Sequence, residues 1–142
     1  MAKVKAVCIS DKKGVKKETV DQIEIKKDEG IVGDAHGEDP IRRISLLGDE
    51  SVDKIRDKMP ELKAGDFAEN ILTEGIVLYE LPIGTRLKIG ETEVEVTKIG
   101  KECHHGCAIK QTTGDCVMPR EGVFAEVIVE GIIRPGDEII QI

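Results

Sequence analysis

Aromatic side chains are nearly missing from this chain: they make up 2 % of it, with no tryptophan, one tyrosine and two phenylalanines. A core built on stacked rings is thereby excluded. The interior has to be assembled from Ile, Val and Leu, a composition that favours strands wherever the β-branched residues cluster. Positive charge is also short, with 21 Lys and Arg against 28 Asp and Glu, a formal net charge of −7 and a pI near 5.1. That balance argues against nucleic acid or an anionic membrane as the main partner, because both demand a positive face. No apolar run approaches the roughly 20 residues of a membrane-spanning helix. Met1-Ala2-Lys3-Val4-Lys5 leads directly into a strand pattern instead of a cleavable leader, so the expected location is the cytoplasm. In that reducing compartment four cysteines are expected to be thiols, ligands or catalytic groups and not a disulfide frame.

At 142 residues one core and a single domain, 1–142, are expected. Lys3 to Ser10 alternates, with Val4, Ala6 and Cys8 on one face, and Thr19 to Ile25 puts Ile23 and Ile25 in step. These read as two opening strands joined by the turn at Asp11–Lys17. A glycine-rich loop, Asp28–Pro40, precedes a short apolar strand, Ile44–Leu47. Asp49 or Ser51 caps a helix over Val52–Lys58, with Val52, Ile55 and Met59 on one face before Pro60. Further strands are expected at Ile71–Thr73 and Val77–Leu81. Thr85–Ile89 and Glu93–Thr97 read as a hairpin turning at Gly90-Glu91. Val123–Val129 and Glu138–Ile142 read as a closing pair. With one or two short helices and no βαβ alternation, the expected fold is mostly β, a closed or partly open antiparallel barrel, with a sandwich as the alternative.

Chemistry concentrates between Cys103 and Gly122. Cys103, His104, His105, Cys107 and Cys116 are soft ligands and potential thiolate nucleophiles in one segment, more than a β-rich fold needs for packing. Near Lys101, Lys110 or Arg120 a thiol would ionise more readily and could carry a sulfane sulfur or bind a soft metal. The alternative is structural zinc, since the Cys103-x3-Cys107 spacing, with Cys116 and a histidine, offers a tetrahedral set. Cys8, inside the first strand, reads as a buried small hydrophobe. Lys12, Lys13, Lys16 and Lys17, with Arg42 and Arg43, are local basic groups that could meet the phosphate of a small ligand. Asp34 and His36 could act as an acid/base pair or bind a polar ligand beside Gly33 and Gly37. Glu69-Asn70 has the same standing, and Pro119 and Gly122 would present Arg120 at the tip of a bend.

Taken in order, Lys13-Gly14, Gly33-Asp34-Ala35-His36, Arg43-Ile44-Ser45-Leu46-Leu47, Gly65-Asp66-Phe67-Ala68-Glu69-Asn70-Ile71, Leu81-Pro82-Ile83-Gly84, the Cys103–Cys116 segment and Pro135-Gly136-Asp137 resemble the MOSC domain, the molybdenum-cofactor sulfurase C-terminal domain family. The resemblance implies a barrel-containing β fold and a cysteine that either carries sulfur to a metal centre or ligates molybdenum in a bound molybdenum cofactor (molybdopterin). Fused relatives carry a pyridoxal-phosphate-dependent cysteine desulfurase module, so sulfur here would come from a separate cysteine desulfurase or other donor. It would pass to a molybdoenzyme or to cofactor-biosynthesis proteins. By the same resemblance Cys103 matches the cysteine of stand-alone bacterial members. Cys107 lies nearer the molybdenum-binding cysteine of the amidoxime-reducing members, with Cys116 a third candidate ligand. Lys13, Arg43 and Asn70 match positions suited to holding the cofactor's phosphate or pterin. The implied activity is sulfur transfer or molybdenum-dependent reduction of N-hydroxylated compounds, the latter drawing electrons from external partners because flavin, haem and nicotinamide motifs are absent.

Overall fold

The computed structural model describes residues 2–10, 17–34, 43–56, 58–67, 69–100 and 121–142. Among them the chain runs β1 (Lys3–Ile9), β2 (Glu18–Val20), β3 (Ile23–Lys26), β4 (Gly30–Ile31), β5 (Ile44–Gly48), α1 (Asp49–Arg56), β6 (Ile71–Glu74), a 3₁₀ turn (Leu78–Glu80), β7 (Arg86–Ile89), β8 (Thr92–Ile99), β9 (Val123–Val129), β10 (Gly131–Ile133) and β11 (Ile139–Gln141). Eight strands form one sheet in the order β11-β7-β8-β9-β5-β6-β1-β2, and β10-β3-β4 form a second.

The fold is mostly β, as its aliphatic composition requires. The sheet is not closed into a barrel. Its β1 flank meets the chain entering β11 through an isolated bridge, Lys3 opposite Glu138. Three backbone hydrogen bonds support that seam: Val4 N to Asp137 O, 2.8 Å; Gly136 N to Val4 O, 2.7 Å; and Ile139 N to Ala2 O, 2.9 Å. No continuous ladder forms there, because the chain turns at Arg134–Asp137 and β11 spends its three residues pairing with β7.

Nor is the architecture purely antiparallel. β5 and β6 run parallel, Leu46 opposite Ile71 and Leu47 opposite Leu72, with α1 in the crossover between them. The helix makes this possible by covering the sheet's outer face. Val52 and Ile55 pack with Leu47, Leu62, Phe67 and Leu72 into a second apolar cluster, while the main core lies on the other face. Hence all five residues of β5 are buried, as expected for a strand sandwiched on both sides.

Several expected elements change. The Thr19–Ile25 strand breaks at Asp21-Gln22, sending β2 to the large sheet and β3 to the small one. In β1 the register shifts between Val4 and Ala6. That bulge puts Val4 and Val7 in the main core and Ala6 against the helix cluster, so Val4 and Ala6 do not share a face. Val77–Leu81 winds into the 3₁₀ turn, closed by Leu81 N to Leu78 O at 3.0 Å, because Leu78 is buried as an anchor while Val77 is exposed. β9 and β11 are not a pair, since β9 lies between β8 and β5. β10 was not anticipated. The β7–β8 hairpin stands as expected, Leu87 opposite Val94, with Gly90 at φ +58° in its turn.

Helix α1 begins at Asp49, so Asp49 and Ser51, the two anticipated caps, both lie inside its first turn. Burial pushes the Asp49 carboxyl up, but hydrogen bonds from Arg56 and Lys5 more than offset this and hold it below the usual carboxylate value. Among the described residues no helix is long and apolar enough to cross a membrane.

Candidate functional site

The motif Gly65–Ile71 enters β6 through a turn that buries the side chains of Glu69 and Asn70. Glu69 and Asn70 are 0 % and 1 % exposed. Asn70 ties three strands together. Its Oδ1 accepts from Ser45 N (3.0 Å) and Ser45 Oγ (3.1 Å), and its Nδ2 donates to Cys8 O at 3.1 Å. Cys8 N in turn donates to Asn70 O at 2.7 Å. Both ends of the amide are used, so the side chain braces β1, β5 and β6. Ser45 is the residue that sequence reading left unassigned. A hydroxyl inside the apolar run Ile44–Leu47 was the signal available for it.

Glu69 receives the backbone N–H groups of Gly65 (2.9 Å) and Phe67 (3.2 Å). Burial pushes its carboxyl up to about 7, against the downward pull of those amides. Gly65 is required at this point. It sits at φ +90°, and a Cβ there would overlap the Lys17 carbonyl oxygen and lie 3.5 Å from Cys8 Sγ.

Lys17 extends this cluster to the glycine-rich loop. Its backbone N donates to Gly65 O at 2.9 Å, and its ammonium meets Asp34 Oδ1 at 2.6 Å with both side chains essentially sealed from solvent. Asp34 Oδ1 also accepts Ser10 N at 3.1 Å. A buried pair of this kind fixes geometry more than it adds stability. Arg43 lies on Gly30, where a Cβ would stand 2.8 Å from the arginine's own Cβ. Its guanidinium, largely covered, approaches Asp28 at 3.9 Å.

Cys8 is the described cysteine, and it is fully buried. Burial first, then the Glu69 carboxylate, pushes its thiol up to about 12. At neutral pH it stays protonated and unreactive, in agreement with its reading as a small core hydrophobe.

The segment 101–120, with Cys103, His104, His105, Cys107, Cys116 and Arg120, lies outside the described residues, as do Lys13 and His36. The residues that flank it, Gly100 and Glu121-Gly122, are described. β8 ends at Ile99, β9 begins at Val123, and Gly100 N donates to Gly122 O at 2.6 Å. The segment therefore starts and finishes at one pinched point. There Glu121, buried, accepts Ser51 Oγ at 2.6 Å and Lys54 Nζ at 2.8 and 2.9 Å. Glu121 and Lys54 were not anticipated, and Ser51 was expected only as a helix cap. They are far apart in sequence, and only the tertiary fold brings them together. Of the residues expected to meet a cofactor, then, Asp34 and Asn70 are engaged in internal hydrogen bonds, and Arg43 is the described one whose cation lies beside the glycine-rich loop.

The family model of the MOSC domain matches residues 33–140. Among solved structures, the YuaD protein from Bacillus subtilis superposes with a TM-score of 0.81 at 20 % identity, over 97 % of this chain and 93 % of that one. YiiM from Geobacillus stearothermophilus superposes at 0.76 and 16 % identity, over 100 % and 75 %. YiiM from Escherichia coli does so at 0.69 and 18 %, over 100 % and 70 %. These likenesses are likenesses of fold. No curated protein sequence matches the chain.

Proposed function

We propose that this chain, which belongs to the MOSC domain family, a family linked to molybdenum-cofactor binding, binds that cofactor or hands sulfur to a metal centre through a thiolate of its Cys103–Cys116 segment. The observation that carries the reading is the elimination of Cys8. Its thiol is sealed in the core and kept protonated by burial, so thiolate chemistry falls to Cys103, Cys107 and Cys116. Those three belong to the stretch that the family model covers.

The fold supplies a rigid stage for it. The segment springs from the end of β8 and the start of β9, which pair with each other over most of their length. A reactive group carried between two long paired strands has fixed ends. Arg43 and Lys13, by the resemblance, and Arg120, by the bend expected at Pro119 and Gly122, are the cations that would meet an anionic guest, and Cys103 or Cys107 would ligate molybdenum. The cofactor, when bound, supplies a redox-active metal. In the carrier role a loop thiolate attacks the outer sulfur of a donor persulfide. A new S–S bond forms, the donor leaves as its thiolate, and the sulfane sulfur then passes to the acceptor in a second exchange of the same kind. A cysteine desulfurase or other sulfur donor, and a molybdoenzyme or cofactor-biosynthesis protein, are the partners this chemistry calls for, and the cytoplasm is the compartment that keeps such thiols reduced.

Metal and sulfur analysis of anaerobically purified protein tests this. Molybdenum with a pterin, or cyanolysable sulfur without metal, supports the proposal, and Cys103→Ser or Cys107→Ser abolishes the signal. Stoichiometric zinc that survives in place of both sinks it, as does full cofactor binding and sulfur loading in both serine variants.

A further inference from the structure

Helix α1 covers only part of the outer face of the large sheet. Over β5 and β6 it seals Leu47 and Leu72, whereas the outward residues of β11, β7, β8 and β9 stay exposed or half-exposed. On these four strands Ile139, Leu87, Ile89, Val94 and Val127 belong to the main core, and alternation turns the residues between them outward. Strand pairing then arranges the outward residues in two rows. Ile140, Lys88, Glu93 and Val129 lie side by side in the first, through the pairs Ile140–Lys88, Lys88–Glu93 and Glu93–Val129. Arg86, Glu95 and Glu126 make the second, with Ile142 beside Arg86, whose carbonyl accepts its N–H at 3.0 Å.

Along the strands the same residues form columns: apolar on β11, basic on β7, acidic on β8. Arg86 and Glu95 meet at 3.2 Å and remain partly solvated. Ile140, Ile142 and Val129 are 44 %, 57 % and 37 % exposed, and they account for three of the six exposed large hydrophobics among the described residues. Such side chains scattered singly call for no partner, but these flank one charged stripe on both sides.

We propose that this face docks a second copy of the chain, related by a two-fold axis that lies in the plane of the face and runs between β7 and β8. That rotation keeps each row level and exchanges the columns. Lys88 of one copy comes over Glu93 of the other, Arg86 over Glu95, and Ile140 over Val129, each contact occurring twice as an isologous interface requires. The charges select the occupant. A partner of single sign would leave half of the stripe facing like charge, whereas the stripe turned about this axis matches itself. Four strands about 4.8 Å apart and rows about 7 Å apart span a few hundred Å² per copy. That is well below the roughly 800 Å² per partner of a stable complex. The dimer is accordingly weak and reversible, and its formation is independent of the chemistry proposed above.

Sedimentation equilibrium of the full chain tests this. In dilute buffer, the average mass should rise from 15.6 kDa toward twice that value between concentrations of about 10 μM and about 1 mM. Salt at about 0.5 M should weaken the association several-fold by screening the stripe. Arg86→Glu with Lys88→Glu sets carboxylate over carboxylate and should weaken it by about tenfold or more. Glu93→Lys with Glu95→Lys sets ammonium over ammonium and should do the same. An equimolar mixture of these two double variants should associate at least as tightly as the wild type, a gain that misfolding of either could not produce. Ile140→Ser should cost about threefold to tenfold in the association constant. A chain still monomeric at about 1 mM overturns the proposal. Association that neither reversal weakens also overturns it, since the copies then meet through another face, as does a mixture no tighter than its separate components.

Discussion

Two polar clusters flank the helix-covered part of the sheet, and they differ in what surrounds them. Around Asn70 every group is sealed. Ser45, Glu69, Asn70 and Lys17 are buried, and the Asn70 amide spends both its ends on β1 and β5. Around Glu121 the carboxylate is buried but its lysine partner is half exposed. A buried donor or acceptor that loses its partner cannot turn to water, whereas an exposed ammonium can. Breaking the first cluster should therefore destabilise the protein far more than breaking the second, which should leave the fold in place.

The comparison breaks most severely at Gly65. Replacing it by alanine forces a Cβ into the Lys17 carbonyl at a left-handed φ of +90°, and we expect a loss of about 4 kcal/mol or more, read as a collapsed denaturant midpoint. Asn70→Ala comes next. It leaves Cys8 O and Ser45 N without their side-chain partner in a dry interior, at a cost of about 3 kcal/mol, and the loss should be non-additive with Ser45→Ala in a double-mutant cycle.

Glu69 sharpens the same cluster through pH. Its carboxyl is raised from 4.5 to about 7 in the fold, so the folded chain holds this proton more tightly than the unfolded one. Its contribution to stability is complete below about pH 4.5 and is lost as pH rises through about 7, on the order of 3 kcal/mol across that window. Chemical denaturation of Glu69→Gln from pH 5 to pH 8 should lack this decline, and an identical slope in wild type and variant would refute the assignment.

The smallest effect belongs to the surface. Arg86 Nε lies 3.2 Å from Glu95 Oε1 across the β7–β8 hairpin, both partly solvated, and Glu95→Gln should cost roughly 0.5 kcal/mol or less. A larger loss in the melting curve would mean that this hairpin is less independent than its local pairing indicates.

The hairpin and the Asn70 cluster also mark the limits of sequence reading. Leu87, Ile89, Val94 and Val96 alternate around a Gly turn, and every β7–β8 pair lies within ten residues, so the pattern and the structure coincide. β5 and β6 read equally well as strands, but their parallel pairing did not, because it depends on α1 folding back over the sheet. Val77–Leu81 has strand composition and becomes a 3₁₀ turn because one residue, Leu78, is drawn into the core. At the site, the order of motifs pointed to the family and Cys8 read as inert. Sequence spacing offered Asp34 and Asn70 as ligand groups with equal plausibility. Their partners, Lys17 and Ser45, stand 17 and 25 residues away, beyond what any local pattern reports.

From the chain of residues alone came the aliphatic β character, the place of the helix and the gathering of three thiols in one segment, since all of these follow from composition and short-range periodicity. Only the assembled fold decided which polar groups are consumed in bracing it, that the sheet stays open, and that a carboxylate at position 121 finds its partners on α1. Those outcomes turn on contacts between residues distant in sequence, where burial sets the energy of each polar group and local pattern carries no record of it.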